Sequence, residues 1–112
     1  MTWQELREAP LDHTVQQNEK MELLENYLRV DEDDELIIAM AFRGAYDYVM
    51  DAVGEVDETE GTVDMLLCAL TQDFYDNRKL TESEQREKLR QRQAYQSIIL
   101  QLQLRYARKQ AV

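Results

Sequence analysis

The chain has 112 residues with only three glycines, one proline and one cysteine, and its net charge is −10. Its length matches one domain of about 100–200 residues, and so few turn-forming residues predict a mostly helical fold. A single cysteine excludes an internal disulfide framework, and no apolar run is long enough for a membrane-spanning helix. We expect a chain without a signal peptide, made in a reducing cytoplasm.

The charge is divided unevenly along the chain. Residues 1–76 carry 20 acidic and 4 basic side chains, whereas residues 77–112 carry 3 acidic and 9 basic ones. This distribution disfavours nonspecific nucleic-acid binding over the whole surface, because phosphate binding needs a positive face, although the basic residues 77–112 alone could still approach phosphates. The basic C-terminal part has two interpretations. It is either a solvated face in which Arg105, Arg108 and Lys109 complement a helix C-terminus, or a surface complementary to the acidic part of a second copy in a head-to-tail sense, which is the geometry of rings.

The N-terminal half begins with an extension over residues 1–20, in which Thr2 caps a short turn that carries Trp3 and Leu6. The first full helix is expected over residues 15–29. Thr14 and Gln17 fit a capping box at its start. Apolar residues at helical spacing follow.

The second helix is predicted over residues 35–53. The acidic run from Asp31 to Glu35 suits the positive end of a helix dipole, and Gly54 suits a left-handed C-terminal turn. Apolar residues cover more than one side of this helix, which is typical of a central helix that contacts several others. Its main stripe comprises Ile38, Phe42, Ala45, Val49 and Ala52, with Ile37, Ala41 and Tyr48 beside it.

An acidic connector precedes a third helix over residues 62–77, for which Thr62 is the expected N-cap. Thr81 and Glu84 form a second capping box. A continuous helix from 82 to 109 would be longer than a compact domain of this size. We therefore expect a polar connector or projecting, mobile helix at 80–94 and a packed C-terminal helix at 95–109.

These segments predict one all-α domain over residues 1–112. It is a small bundle of about four helices with a long central helix, in which residues 21–79 form the core and residues near 80–93 project. No segment alternates with a period of two, so we expect no sheet.

Motifs for chemistry are lacking. The glycines are too scattered for a phosphate-binding loop, Cys68 falls on an apolar helical stripe, and His13 is the only histidine. The acidic run matches the first calcium ligands of an EF-hand loop, but Leu36 stands where that loop needs glycine. Helix capping explains the run better. We therefore predict no enzyme activity, no cofactor and no metal site.

Four phrases of the chain resemble the head–tail connector (adaptor) proteins of tailed bacteriophages. The first two are Leu24-Glu-Asn-Tyr-Leu-Arg-Val-Asp31 and Asp34-Glu-Leu-Ile-Ile38, which opens the helix that runs to Gly54. The others are Leu66-Leu-Cys-Ala-Leu-Thr-Gln-Asp-Phe-Tyr-Asp-Asn-Arg78 and Ile98-Ile-Leu-Gln-Leu-Gln-Leu-Arg105. Residues 1–20 have no counterpart in the family, and a polar stretch at 82–94 replaces its proline-containing phrase.

The resemblance implies a structural virion protein that forms a homo-oligomeric ring under the portal protein. Such a ring extends the DNA channel, lets the genome pass without specific binding, and offers a platform for the next tail-completion protein. The implied location is the head–tail junction of the virion, after assembly in the host cytoplasm and away from any membrane. The charge pattern nominates these interaction residues: Asp31, Asp33, Asp34, Glu35, Arg78, Lys79, Arg105, Arg108 and Lys109.

One alternative stays open at this point. A small acidic helical protein can also act as a regulator or DNA mimic that binds a basic partner protein. Self-association separates the two hypotheses, because a connector forms rings and a regulator stays small and binds one partner.

Overall fold

The computed structural model describes residues 2–29, 34–78, 80–90 and 92–110; the side chains of His13, Glu82 and Ala94 are not described. The described residues form six α-helices and one 3₁₀-helix and contain no strand, so the predicted all-α fold is confirmed. The helices are α1 (Trp3–Glu8), α2 (Glu19–Leu28), α3 (Glu35–Val53), α4 (Gly61–Asp76), α5 (Glu82–Arg90) and α6 (Gln93–Gln110), with the 3₁₀-helix at His13–Gln17.

Helix α3 is the centre of the bundle, as predicted. It packs most extensively against α4 and also contacts α1, α2, α6 and the 3₁₀-helix. Its inner stripe is fully buried at Ile38, Phe42, Ala45 and Val49. Gly54 ends the helix with a positive φ of 97°, and its N–H donates to the carbonyl of Met50 at 2.7 Å. The bounds of α3 agree with the prediction.

The first 20 residues belong to the same core instead of extending from it. Trp3 and Val15 are completely buried, and the ring of Trp3 lies 5.3 Å from that of Phe42. Thr2 caps α1 as expected, since its hydroxyl accepts from the Glu5 N–H at 3.0 Å. The segment stays with the bundle because its large apolar side chains remove more surface from water there than anywhere outside.

Two predicted helix starts are wrong. The capping box at Thr14 and Gln17 does not begin a helix, because both residues belong to the 3₁₀-helix. Asn18 caps α2 instead and accepts from the Lys20 N–H at 2.9 Å. Helix α4 begins at Gly61, so Thr62 lies inside it and is not its N-cap. When two polar side chains can cap the same segment, a capping-box motif alone does not decide at which residue the helix begins.

The predicted break in the last segment is present, with α5 ending at Arg90 and α6 beginning at Gln93. Helix α5 lies against the body and does not project, because Leu89 is buried and Gln85 donates to the carbonyl of Asn77 at 2.9 Å. Arg92 pairs with Asp73 at 3.2 Å and fixes the turn between α5 and α6 to α4. The Thr81–Glu84 capping contact is confirmed at 3.2 Å.

Candidate interaction surfaces

Of the interaction residues nominated from the sequence, those that the structure describes lie near the two ends of α3. Asp34, Glu35 and Arg78 lie where α3 begins and α4 ends, and Arg105 and Lys109 lie where α3 ends and α4 begins. The two ends are about 27 Å apart along a helix of this length. Asp31, Asp33 and Lys79 lie outside the described residues.

Tyr75 joins two of the nominated residues at the first end. Its hydroxyl donates to the Asp34 carboxylate at 2.5 Å, and this hydrogen bond raises the pKa of Tyr75. The Arg78 guanidinium lies 4.8 Å from the centre of the Tyr75 ring and donates to the Tyr75 carbonyl at 2.9 Å. Glu35 is buried beside them at the start of α3. Asp34 and Arg78 therefore meet through an aromatic residue whose linking role the charge pattern does not reveal.

The acidic connector, residues 55–60, binds basic residues of α6 near the C-terminal end of α3. Arg105 pairs with Glu60, and the Lys109 Nζ lies 2.6 Å from an Asp57 carboxylate oxygen. Hydrogen bonds from Lys109 and then from Thr59 hold the pKa of Asp57 well below its ordinary value of 3.8. Two bases nominated for contacts with another copy thus pair within their own chain, whereas Arg108 is exposed.

The same connector also holds the start of the chain. One Glu58 carboxylate accepts from the backbone N–H of Trp3 at 2.6 Å and from that of Gln4 at 3.1 Å. These N–H groups have no partner within α1, so Glu58 satisfies the end of a helix that lies 55 residues away in sequence. The indole N–H of Trp3 donates to Asp64 at 2.6 Å. No local signal in the sequence could have indicated these contacts.

The single cysteine, Cys68, is buried in the core. Burial raises the pKa of the Cys68 thiol to about 11, so the thiol is protonated at neutral pH and is a weak nucleophile. This agrees with its predicted place in the core. Within residues 2–29, 34–78, 80–90 and 92–110, no three His, Cys, Asp or Glu side chains are arranged to hold a metal ion.

Helix α3 also has an exposed apolar stripe on its outer side, formed by Ile37 and Met40, whereas Ala41 beside them is buried. Ile37 is 40% exposed and Met40 is 61% exposed. The stripe borders an open groove of about 470 Å³, which Phe74 of α4, Gln85 of α5 and the charged residues Arg43, Asp47 and Arg78 also line. Solvent therefore reaches an apolar surface that no part of the described chain covers.

Gly44 shapes the floor of this groove. A Cβ atom added to Gly44 would stand 2.9 Å from Cε1 of Phe74, which is closer than real side chains approach each other. Glycine at this position lets the Phe74 ring pack close to the backbone of α3. The result is a depression between α3 and α4 where a larger residue would push the ring outward.

Two other helices carry exposed apolar pairs. On α6, Leu100 and Leu104 are each more than half exposed, although Ile99 and Leu102 of the same helix are buried. On α2, Leu23 and Tyr27 are 40% and 46% exposed. Helices that are apolar on two sides, such as α3 and α6, are typical of elements with more than one packing partner.

In the part of the chain that the structure describes, no helix combines the length and hydrophobicity that crossing a bilayer requires. Comparisons with protein-family models, curated proteins and solved structures found no match to this chain.

Proposed function

We propose that this protein is a structural subunit of a tailed-phage virion, a head–tail connector that forms a ring under the portal and extends the DNA channel. The observation that carries the proposal is the pair of uncovered apolar faces, one on α3 and one on α6. A subunit of a cyclic ring needs two different faces, because it contacts one neighbour through each. The resemblance of the sequence to connector proteins supplies the biological setting.

The charge of the subunit suits a DNA channel. With a net charge of −10, a ring of copies would repel phosphates wherever its acidic surface faces the duplex. A genome would then slide past the wall without binding it, since retention on DNA depends on basic contacts. The portal protein and the next tail-completion protein would bind the two rims of the ring.

The test is self-association. The purified chain is measured by light scattering over a concentration series, alone and with a portal ring, and the same samples are imaged in negative stain. We expect closed rings of uniform diameter at high concentration or on the portal. Species no larger than a dimer at every concentration, with portal present, would contradict the proposal.

Species no larger than a dimer at every concentration would favour the alternative function, an acidic regulator that binds a basic partner protein. The observation in favour of this second function is the outer side of α2, where Leu23 and Tyr27 lie on a helix with three glutamates. An apolar pair among acidic residues suits a basic amphipathic partner. A regulator would bind one such protein tightly without forming rings.

A further inference from the structure

We infer that the outer side of α6 in one copy packs antiparallel on the outer side of α2 in the next copy. Leu104 then lies against Leu23. One helical turn away, Leu100 lies against Tyr27. This inference rests on the proposed function, and it assigns α2, not α3, as the surface of the neighbouring copy that meets α6.

The two surfaces have the same spacing of exposed apolar side chains. On α6, Leu100 and Leu104 are one turn apart, and the buried residues of that helix lie on its other side. On α2, Leu23 and Tyr27 are likewise one turn apart, on a helix whose other side packs on α3 and α4. Because rows of side chains four residues apart on one helix pack into the grooves of another, the two pairs can interdigitate.

The charges beside the two apolar pairs are opposite in sign. Helix α6 carries three basic and no acidic side chains, and Arg108 is the one of these that is exposed and not paired with the acidic connector. The first turn of α2 carries Glu19 and Glu22, both exposed. Its one base, Lys20, is held by Asp64 of its own chain at 3.8 Å. Opposite charges therefore meet at the edge of the apolar contact, where they fix its register.

The charges also select the antiparallel orientation. With Leu104 against Leu23, this orientation brings Arg108 to the first turn of α2, opposite its glutamates. It also keeps Arg108 away from Arg29, the exposed base at the end of α2, which instead faces the uncharged residues 93–99 of α6. A parallel orientation would place the two arginines close together, and like charges repel.

The other exposed apolar surfaces match α6 less well. Arg43 and Arg78 line the groove beside α3, and its Asp47 already pairs with Arg7 at 2.8 Å, so a basic helix is repelled there. Two copies of α6 would bring bases together, and two copies of α2 would bring glutamates together. Because α2 and α6 are different surfaces of one chain, their contact repeats head to tail, as a ring requires.

The first experiment is a cross-link between single cysteines in the full chain, with Cys68→Ala as the background. One tagged population carries Tyr27→Cys on α2 and a second carries Leu100→Cys on α6, which leaves the leucine pair and the charges of the contact in place. Two controls carry Glu19→Cys, for the parallel orientation, and Met65→Cys, which replaces a 72% exposed side chain of α4. The populations are mixed in pairs under assembly conditions and treated with a short bis-maleimide. Urea unfolding followed by tryptophan fluorescence checks that each variant is folded.

We expect the most covalent dimer from Leu100→Cys mixed with Tyr27→Cys, because the antiparallel register places these positions opposite each other. Leu100→Cys mixed with Glu19→Cys or with Met65→Cys should give little product, since Glu19 lies two turns away from Tyr27 along α2.

Charge reversal tests the same contact by a second route. Arg108→Glu should raise the concentration needed for half-assembly several-fold, and Glu19→Arg should act in the same direction. A chain with both substitutions should recover most of the loss, because opposite charges meet again. Arg90→Glu reverses an exposed base of α5 outside the contact and is the matched control, which should leave assembly unchanged.

The outcomes that would overturn the inference are distinguishable from failure of the proposed function. Rings in which Leu100→Cys links to Tyr27→Cys no more than to Met65→Cys would reject the contact, and preferential linkage to Glu19→Cys would reject its orientation. A doubly reversed chain that fails to recover would reject the pairing of Arg108 with the first turn of α2. Each of these results leaves the connector function standing, whereas absence of assembly in the unmodified chain, even with portal, would reject both.

Discussion

Gly54 shows how one residue can fix the end of the central helix. Its φ of +97° is a conformation that residues with a side chain rarely adopt, and an added Cβ would stand 3.1 Å from the Tyr106 ring. We predict that Gly54→Ala lowers the free energy of unfolding by about 1–2 kcal/mol, the cost of a left-handed residue other than glycine. Urea unfolding followed by the fluorescence of Trp3, the only tryptophan and fully buried, measures the change.

Gly61→Ala is the matched control. Gly61 opens α4 and has no atom within 4 Å of the position where a Cβ would stand. Alanine there should leave stability unchanged or raise it by up to about 1 kcal/mol, because it restricts the unfolded chain. Equal losses in both variants would mean that neither the positive φ nor Tyr106 constrains Gly54.

Single residues were predictable where their neighbours in sequence decide their environment. Cys68 falls on an apolar stripe, and it is buried as that stripe indicates. Trp3 stands in a polar N-terminal segment without a clear pattern, and its burial depends on Phe42, Glu58 and Asp64. Contacts between residues so far apart in sequence leave no periodic signal in either segment.

The same rule holds for whole elements. Both ends of α3 carry local signals, an acidic run before Glu35 and Gly54 after Val53, and both ends were predicted correctly. The start of α2 was not, because Asp12 and Asn18 compete with Thr14 as capping residues and divide the segment into two helices. Helix α5 was expected to project, since one buried leucine and a few hydrogen bonds to α4 are invisible in a polar sequence.

The ion pair between Lys109 of α6 and Asp57 of the acidic connector should respond to pH. The pKa of Asp57 is lowered in the folded chain, so its contribution to stability is present above the ordinary value of 3.8 and is lost as the pH falls from there toward the lowered pKa. We predict that wild type is more stable than Asp57→Asn at pH 7 and that the difference shrinks below about pH 4. Unfolding curves of both proteins over a pH series measure it.

A double-mutant cycle identifies the partner. In a Lys109→Gln background the Asp57→Asn substitution should lose most of its effect at pH 7, because the ammonium that lowers the carboxylate pKa is gone. A full effect of Asp57→Asn without Lys109 would assign the stabilisation to Thr59, which also donates to Asp57. The stabilisation would then come from a local turn of the acidic connector and not from its ion pair with α6.

At the scale of the whole molecule, the chain has a radius of gyration of 13.8 Å and extents of 43 × 30 × 21 Å. Net charge along the sequence predicted two oppositely charged ends, but ion pairs across 45 and 52 residues mix the signs at the connector. Which bases remain exposed is a property of the folded surface. The groove beside α3 was unpredictable for the same reason, since three helices line it.

Salt should slow the assembly of rings from these subunits. Above about 0.1 M, charges more than about 10 Å apart are already screened, so further salt acts mainly on charges at the contact. We predict that the rate of assembly into the proposed rings falls several-fold between about 0.1 and 1 M NaCl. Stopped-flow light scattering gives the rate. A rate indifferent to salt would reject the electrostatic contribution and leave the apolar contact in place.

The acidic connector, residues 55–60, binds both the first and the last helix through adjacent residues. Glu58 accepts from the backbone of Trp3 in α1, and Asp57 pairs with Lys109 in α6. Helices α1 and α6 are therefore held by side chains of two consecutive residues. This geometry suits circular permutation, in which a brief glycine-rich bridge joins α6 to α1 and new ends open in an exposed loop elsewhere. A label could then be attached far from the ion pair of Asp57 with Lys109, without disturbing the packing of α1 or α6.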